Sequence, residues 1–249
     1  MLLARLASLA TRTARGRRAL WRTWYQFLAA RYREPGWTFM NYGYRDPGGA
    51  SEPPLDPADE ADRSCIQLYD VVARGAPVAN RDLLEVGCGR GGGAAYLARA
   101  LSPRRMVAVD LSSRAIELCR RRFERPNLTF QVGDAERLPF GDGSFDAAVC
   151  CVSVDYLTRP VEVLAEAARV LRPDAPVVLT FSNRCFPTKA IRGWLATDDQ
   201  AHCAIVGEYL RLAGGFGDAE ASLRTPGDGY SGDPLYAMVA RRLPRTAAG

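Results

Sequence analysis

From residue 82 onward, short apolar runs alternate with longer stretches whose apolar positions recur at helical spacing. The runs at 82–86, 105–110, 127–132, 145–151 and 176–182 predict buried strands, and the stretches at about 92–101, 112–124, 159–171 and 188–213 predict helices. Such alternation predicts a parallel, doubly wound sheet with helices on both faces. The rhythm breaks near the end. There 216–224 and 235–242 predict two strands joined by Thr225-Pro226-Gly227-Asp228-Gly229, an antiparallel pair at one edge. Before the alternation begins, Ile66, Leu68, Tyr69, Val71 and Val72 mark an amphipathic helix over 60–75. Further back, Leu2, Leu6, Leu9, Leu20, Trp24, Phe27 and Leu28 fall at near-helical spacing within 1–32, interrupted near Gly16.

Charge changes how that first stretch is read. The formal charge is +5, yet residues 1–33 hold eight arginines and no acid, so the rest of the chain carries −3. The basic character belongs to one arm and not to the body, which argues against a nucleic-acid groove across the domain. Three readings of the arm stay open. It is a helix at a membrane surface, an organelle transit segment, or a helix packed on the body with its arginines in solvent. Residues 35–60 follow with Trp37, Phe39, Met40, Asn41, Tyr42, Gly43 and Tyr44 and then a loop rich in Pro, Asp and Glu. This cluster reads either as a lid over a site or as an apolar plug beneath the arm. The expected division is a basic helical arm and aromatic lid over 1–60 and one α/β domain over 61–249. Seven cysteines without a Cys-x-x-Cys pair, and a single histidine, point to free thiols in a reducing cytoplasm and leave little capacity for a metal.

The chemistry is concentrated at Leu83–Gly93, where an apolar run ending in Glu85 leads into glycines at 87, 89, 91, 92 and 93 and then a helical pattern. Glycines in such numbers serve a backbone that takes positive φ or approaches a ligand closely, and the amides at the helix start favour an anionic group. Gly87-x-Gly89-x-x-Gly92 also fits a dinucleotide fingerprint, and Asp110 at the end of the second strand suits ribose hydroxyls in either case. The downstream residues separate the two. Gly133-Asp134-Ala135-Glu136-Arg137-Leu138-Pro139-Phe140 follows the third strand, and Ser144-Phe145-Asp146 leads into the fourth.

This set, in this order, resembles the class I S-adenosylmethionine-dependent methyltransferases over about 80–242. The resemblance implies a Rossmann-like, mainly parallel seven-stranded sheet with an antiparallel edge strand, and S-adenosyl-L-methionine as cofactor. It implies that Glu85, Gly87, Gly89 and Gly91 form the loop under the methionine part. Asp110 would hold the ribose hydroxyls, with Leu111 beside the adenine. Asp134 and Ala135 would meet the adenine edge, and Cys151 and Val152 the methionine chain. Closer likenesses lie in Leu20–Tyr25, Met40–Tyr44, Ile66–Tyr69, the glycine loop and Ala115–Arg122, which resemble the mycobacterial phthiotriol and phenolphthiotriol dimycocerosate methyltransferases. Those enzymes O-methylate a long-chain lipid alcohol. Beyond residue 150 the likeness shifts to other methyltransferases without assigned substrates, because Cys151–Pro160 lacks the histidine expected there.

The acceptor side is therefore read from the residues themselves. A hydroxyl acceptor benefits from a base. His202, the single histidine, and Asp155, just after the fourth strand, are the catalytic candidates. Tyr42, with Tyr44, is a candidate to face the sulfonium through its ring or to bond the cofactor carboxylate. The expected activity is methyl transfer to a small hydrophobic acceptor, a hydroxyl of a lipid, polyketide or other natural product. A C-methyltransferase acting on a quinone or polyene and a non-catalytic cofactor-binding partner protein are the alternatives. The expected location is the cytoplasm, and the surface-helix reading of 1–32 adds contact with a membrane surface.

Overall fold

The computed structural model describes residues 36–45, 55–76, 78–183, 190–224 and 234–244, together with positions 16, 23, 53 and 185. Most of the basic arm, the acidic loop after Arg45, the segment 186–189 and the turn 225–233 lie outside the described residues.

Seven strands form one sheet in the order β3-β2-β1-β4-β5-β7-β6. They are β1 Asp82–Val86, β2 Arg105–Asp110, β3 Leu128–Val132, β4 Ala147–Cys151, β5 Pro176–Ser182, β6 Glu220–Leu223 and β7 Leu235–Arg241. Strands β1 to β5 are mutually parallel, and β7 runs antiparallel between β5 and β6. The helices are α1 Arg63–Arg74, α2 Gly92–Ala100, α3 Ser113–Arg122, α4 Pro160–Val170, α5 Arg192–Leu195 and α6 Asp199–Ala213, and a 3-10 turn, Pro57–Asp62, leads into α1. No described helix is long and apolar enough to cross a membrane.

Alternation along each strand sorts the core into two layers. Leu83, Met106, Ala147 and Val149 face the layer with α1, α2 and α3, while Leu84, Val107, Ala148 and Cys150 face the layer with α4 and α6. By the same count Glu85 and Cys151 point into the first layer. The strands buried on both faces carry near-continuous apolar runs, as parallel strands must.

One predicted element is divided. The helix expected over 188–213 is two, α5 and α6, separated by Ala196-Thr197-Asp198. Thr197 donates from its hydroxyl to the Gly193 carbonyl at 2.7 Å, and Asp198 accepts from the Ala201 amide at 2.9 Å as the N-cap of α6. Both side chains offer the backbone an alternative to continued helix.

The far end of the sheet, where β1 begins, is tied by ions. Asp82 accepts a two-pronged contact from Arg104 at 3.0 and 2.8 Å, with Arg105 and Arg172 each 3.5 Å away, and Arg172 also pairs with Asp146. The Arg104 guanidinium, aided by its neighbours, holds the Asp82 carboxyl below the usual carboxylate range.

Candidate functional site

The carboxyl ends of β1, β2, β3 and β4 converge with the loop between β1 and α2, at the edge where open α/β sheets bind ligands. The loop is stitched to β2. The amides of Gly87 and Cys88 donate to the Val109 carbonyl at 2.8 and 3.1 Å. That of Gly89 donates to Asp110 Oδ2 at 3.0 Å, and Asp110 Oδ1 accepts from Ser112 at 2.8 Å. The Gly133 amide donates to the Asp110 carbonyl at 3.0 Å, which brings Asp134 alongside. Asp134 closes its own turn by accepting from the Glu136 amide at 3.1 Å. Leu111, Asp134 and Ala135 are half-buried around this end. The glycines have separate reasons. Gly91 takes φ +84° as the cap of α2, a conformation that disfavours a side chain. Gly93 is helical, but a Cβ there would lie 1.8 Å from the Tyr69 ring, so the bare backbone makes room for that ring.

A strap, residues 36–45, lies on the loop. The Thr38 carbonyl accepts from the Gly92 amide at 3.0 Å. Arg90, buried within the loop, donates from Nε to the Trp37 carbonyl at 2.6 Å and lies 4.2 Å over the Trp37 ring, while Arg122 donates to the same carbonyl at 2.9 Å. Met40 faces Gly89. Tyr44 donates its hydroxyl to the Arg224 carbonyl at 2.6 Å and is committed to holding the strap against β6. Tyr42, two residues earlier, is 37 % exposed.

Under the loop, Glu85 is fully buried. Its Oε1 accepts from the Tyr69 hydroxyl at 2.8 Å, and its Oε2 has no hydrogen-bond partner. Burial pushes its pKa up to about 7, the Tyr69 hydrogen bond opposes the rise and the Asp110 charge adds to it. Cys151 is buried on the same face, and burial pushes its thiol well above the ordinary range. Next to it Val152 takes φ +47°. A β-branched residue in the left-handed region is strained. The turn is held because the Val152 amide donates to the Thr180 carbonyl at 3.0 Å, with Thr180 Oγ1 3.2 Å away. It sets Ser153 Oγ 3.1 Å from where a Cβ on Gly87 would stand.

These contacts narrow one expectation, that of an anion at the loop. The amides of Gly87, Cys88, Gly89, Gly91 and Gly92 are all spent within the protein, that of Gly91 on the Cys88 carbonyl at 3.0 Å. They are not offered to an anion. Three carboxyl groups, Glu85, Asp110 and Asp134, stand around the loop, while the arginines nearby, Arg90 and Arg122, are turned to the Trp37 carbonyl. A dinucleotide pyrophosphate needs those amides, whereas a cofactor carrying a sulfonium and an ammonium suits the acids.

Residues 84–179 match the family model of a methyltransferase domain. The site fits S-adenosylmethionine as cofactor. The buried Oε2 of Glu85 lacks a partner, and Asp110 lies at the carboxyl end of β2 beside the loop. A fatty-acid O-methyltransferase of Mycolicibacterium smegmatis is 44% identical over 151 residues, covering 60% of this chain and 54% of that protein. A phthiotriol/phenolphthiotriol dimycocerosates methyltransferase of Mycobacterium tuberculosis is 38% identical over 173 residues, covering 69% of this chain and 62% of that protein. The chain thus spans less than two thirds of the length of these curated relatives. Among solved structures, geranyl diphosphate methyltransferase in complex with GPP and sinefungin shares 19% identity at a TM-score of 0.60, covering 88% of this chain and 99% of that one. The cyclase SpnF shares 20% at 0.66, covering 89% and 95%. Both share the fold.

The two catalytic candidates of the methyltransferase domain lie apart from the loop cluster, in the second layer and just after β4. Asp155 is buried in the short 3-10 turn Val154–Tyr156, and its carbonyl accepts from the Ile191 amide at 3.1 Å, so the segment entering α5 covers it. His202 is buried in α6. Its ring stacks on Trp194 at 3.9 Å, its Nε2 is 2.9 Å from the Trp194 carbonyl, and its Nδ1 is 3.8 Å from Asp199. This is a packing and hydrogen-bonding role within the α5–α6 corner. Tyr69, Arg90 and Trp194 are site or near-site residues that pattern reading passes over. Tyr69 and Trp194 look like ordinary core in an amphipathic run. The one clue to Tyr69 is Gly93, a glycine inside a helix for which the loop fingerprint has no use.

Proposed function

We propose that this protein transfers the methyl group of S-adenosylmethionine to a hydroxyl of a lipid-like, hydrophobic acceptor. The cofactor supplies an electrophilic methyl group; the chain's work is to hold the acceptor oxygen in line with it, which is catalysis by positioning. Glu85 and Asp110 would anchor the cofactor at its two ends, Asp134 and Ala135 would meet the adenine, and the strap with Tyr42 would cover it. Asp155, buried at the end of β4, is the group we assign to orient the acceptor hydroxyl and take its proton. His202 is the weaker choice, because its Nε2 is engaged by the Trp194 carbonyl. The observation that carries the reading is the glycine loop flanked by Glu85, Asp110 and Asp134, with five of its amides spent within the protein, at the carboxyl edge of the parallel sheet. The hydroxyl and the lipid character rest on the relatives, one named for fatty-acid O-methylation and the other for phthiotriol derivatives. The Arg-rich arm adds a way for the enzyme to meet a lipid surface.

The test is methyl transfer from methyl-labelled S-adenosylmethionine to fatty acids, long-chain alcohols and extracts of mycobacterial lipids. Label in an alkali-stable ether supports methylation of a hydroxyl; label in an alkali-labile ester keeps O-methylation but makes a carboxylate the acceptor and removes the need for Asp155 as base. Label in neither, with label on carbon, turns the reading to a C-methyltransferase. For the arm, full-length protein should sediment with anionic vesicles at low salt and protein lacking 1–32 should not.

A further inference from the structure

We propose that Tyr69 is a positioning residue for the cofactor: its hydroxyl fixes one oxygen of the buried Glu85 carboxyl, the other is left to pair with the cofactor's ammonium group, and binding expels the Glu85 proton to solvent. The inference rests on the cofactor assignment and adds to it a residue outside the span matched by the domain, together with a proton.

Tyr69 sits on α1, before the domain span begins, and reaches the site by a defined route. Its ring occupies the space where Gly93 would carry a side chain, 1.8 Å from that missing Cβ. Phe39 of the strap also packs on the ring, with centroids 6.0 Å apart. Packed against α2 and the strap, Tyr69 donates its hydroxyl to Glu85 Oε1 at 2.8 Å. That bond turns a freely rotating carboxyl into one with a fixed outer oxygen. Oε2 is buried and unpartnered, which is costly for a carboxylate and invites either a proton or a cation. The groups acting on Glu85 from the surrounding elements are Tyr69 on α1, Asp110 on β2, Cys88 in the loop and Cys151 on β4. None is a cation, and Asp110 adds negative charge. In the free protein the proton fills the vacancy of charge; the balance on binding is one O–H bond broken, one proton released and one carboxylate–ammonium pair formed.

The experiment is calorimetric titration of the full chain with S-adenosylhomocysteine at about pH 6, repeated in buffers of different ionisation enthalpy, which counts protons released. 5′-Methylthioadenosine, which lacks the amino-acid part, is the control. The wild type should release close to one proton with S-adenosylhomocysteine and none with 5′-methylthioadenosine. Tyr69→Phe keeps the ring beside Gly93 and removes only the hydroxyl. It should weaken S-adenosylhomocysteine roughly tenfold, move the pH midpoint of binding upward and leave 5′-methylthioadenosine unchanged. Absence of proton release in the wild type overturns the proposal, as does a Tyr69→Phe variant that weakens both ligands equally, which is the mark of a merely structural ring. If Tyr69→Phe does not fold, Glu85→Gln carries the test: it should bind 5′-methylthioadenosine as the wild type does and S-adenosylhomocysteine without proton release. If the wild type binds neither ligand, the cofactor assignment fails and this inference falls with it.

Discussion

Strand β1 carries an acid at each end, Asp82 and Glu85, and the two are treated in opposite ways. Asp82 is met by Arg104, Arg105 and Arg172, and the first of these lowers its pKa. Glu85 is buried with a phenol hydroxyl and no cation, and its pKa rises to about 7. One end of the sheet spends its charges on closing the fold. At the other, an acid is buried and half-satisfied, which marks it as a candidate site.

The largest effect that would sharpen this contrast comes from steric occupation beneath the loop. Gly93→Ala drives a methyl into the Tyr69 ring and should lower stability by about 3 kcal/mol or prevent soluble expression, read by thermal unfolding. Unchanged stability would mean that Tyr69 moves freely, and the Glu85 geometry with it. Next is the pH dependence of the cofactor-free protein. Because burial raises the folded pKa of Glu85 from the usual 4.5 to about 7, the folded state binds more protons in that window, and stability falls as pH rises from 4.5 to about 7. The loss is on the order of 3 kcal/mol and should vanish in Glu85→Gln, measured by denaturant unfolding across pH. Asp82 has the opposite sign. Its lowered pKa contributes stability that is present above about pH 4 and lost as pH falls through the folded value. Asp82→Asn should therefore cost only about 1 kcal/mol near neutrality, since the arginines are half-exposed. On the acceptor side, Asp155→Asn should slow turnover about a hundredfold or more with cofactor binding intact. The smallest effect on rate is expected from His202→Asn, which should lower the melting temperature but change turnover less than about threefold; a loss as large as that of Asp155→Asn would restore the histidine as the base.

The limits of β1, β2 and β5 could be read directly, because a strand buried on both faces is an uninterrupted apolar run bounded by charge or proline. The loop, Asp110 and Asp134 were equally legible, since glycines and strand-end acids are local signals. The break at Thr197-Asp198 was not, because the apolar positions of α5 and α6 stay in helical register while two side chains end the helix by hydrogen bonding. Tyr69 was hidden for the opposite reason. Nothing local separates a tyrosine that fills a core from one that reaches an acid sixteen positions later, and only the fold brings the two together. The strap was legible as aromatic, but its contacts were not: Phe39 packs on Tyr69 and the Thr38 carbonyl accepts from the loop.

The grip on the Trp37 carbonyl also bears on assembly during synthesis. The strap leaves the ribosome before the sheet, but the two arginines that hold it follow 53 and 85 residues later. Its ties to α1 and the turn before it, Thr38 to Asp62, Asn41 to the Cys65 carbonyl and Tyr44 to the Ser64 carbonyl, can form first. The grip on the Trp37 carbonyl waits for β1, β2 and α3, and it closes as a late, non-local step of the kind that slows folding. A nascent chain halted before Arg122 would hold the strap at one end and leave Trp37 half-gripped.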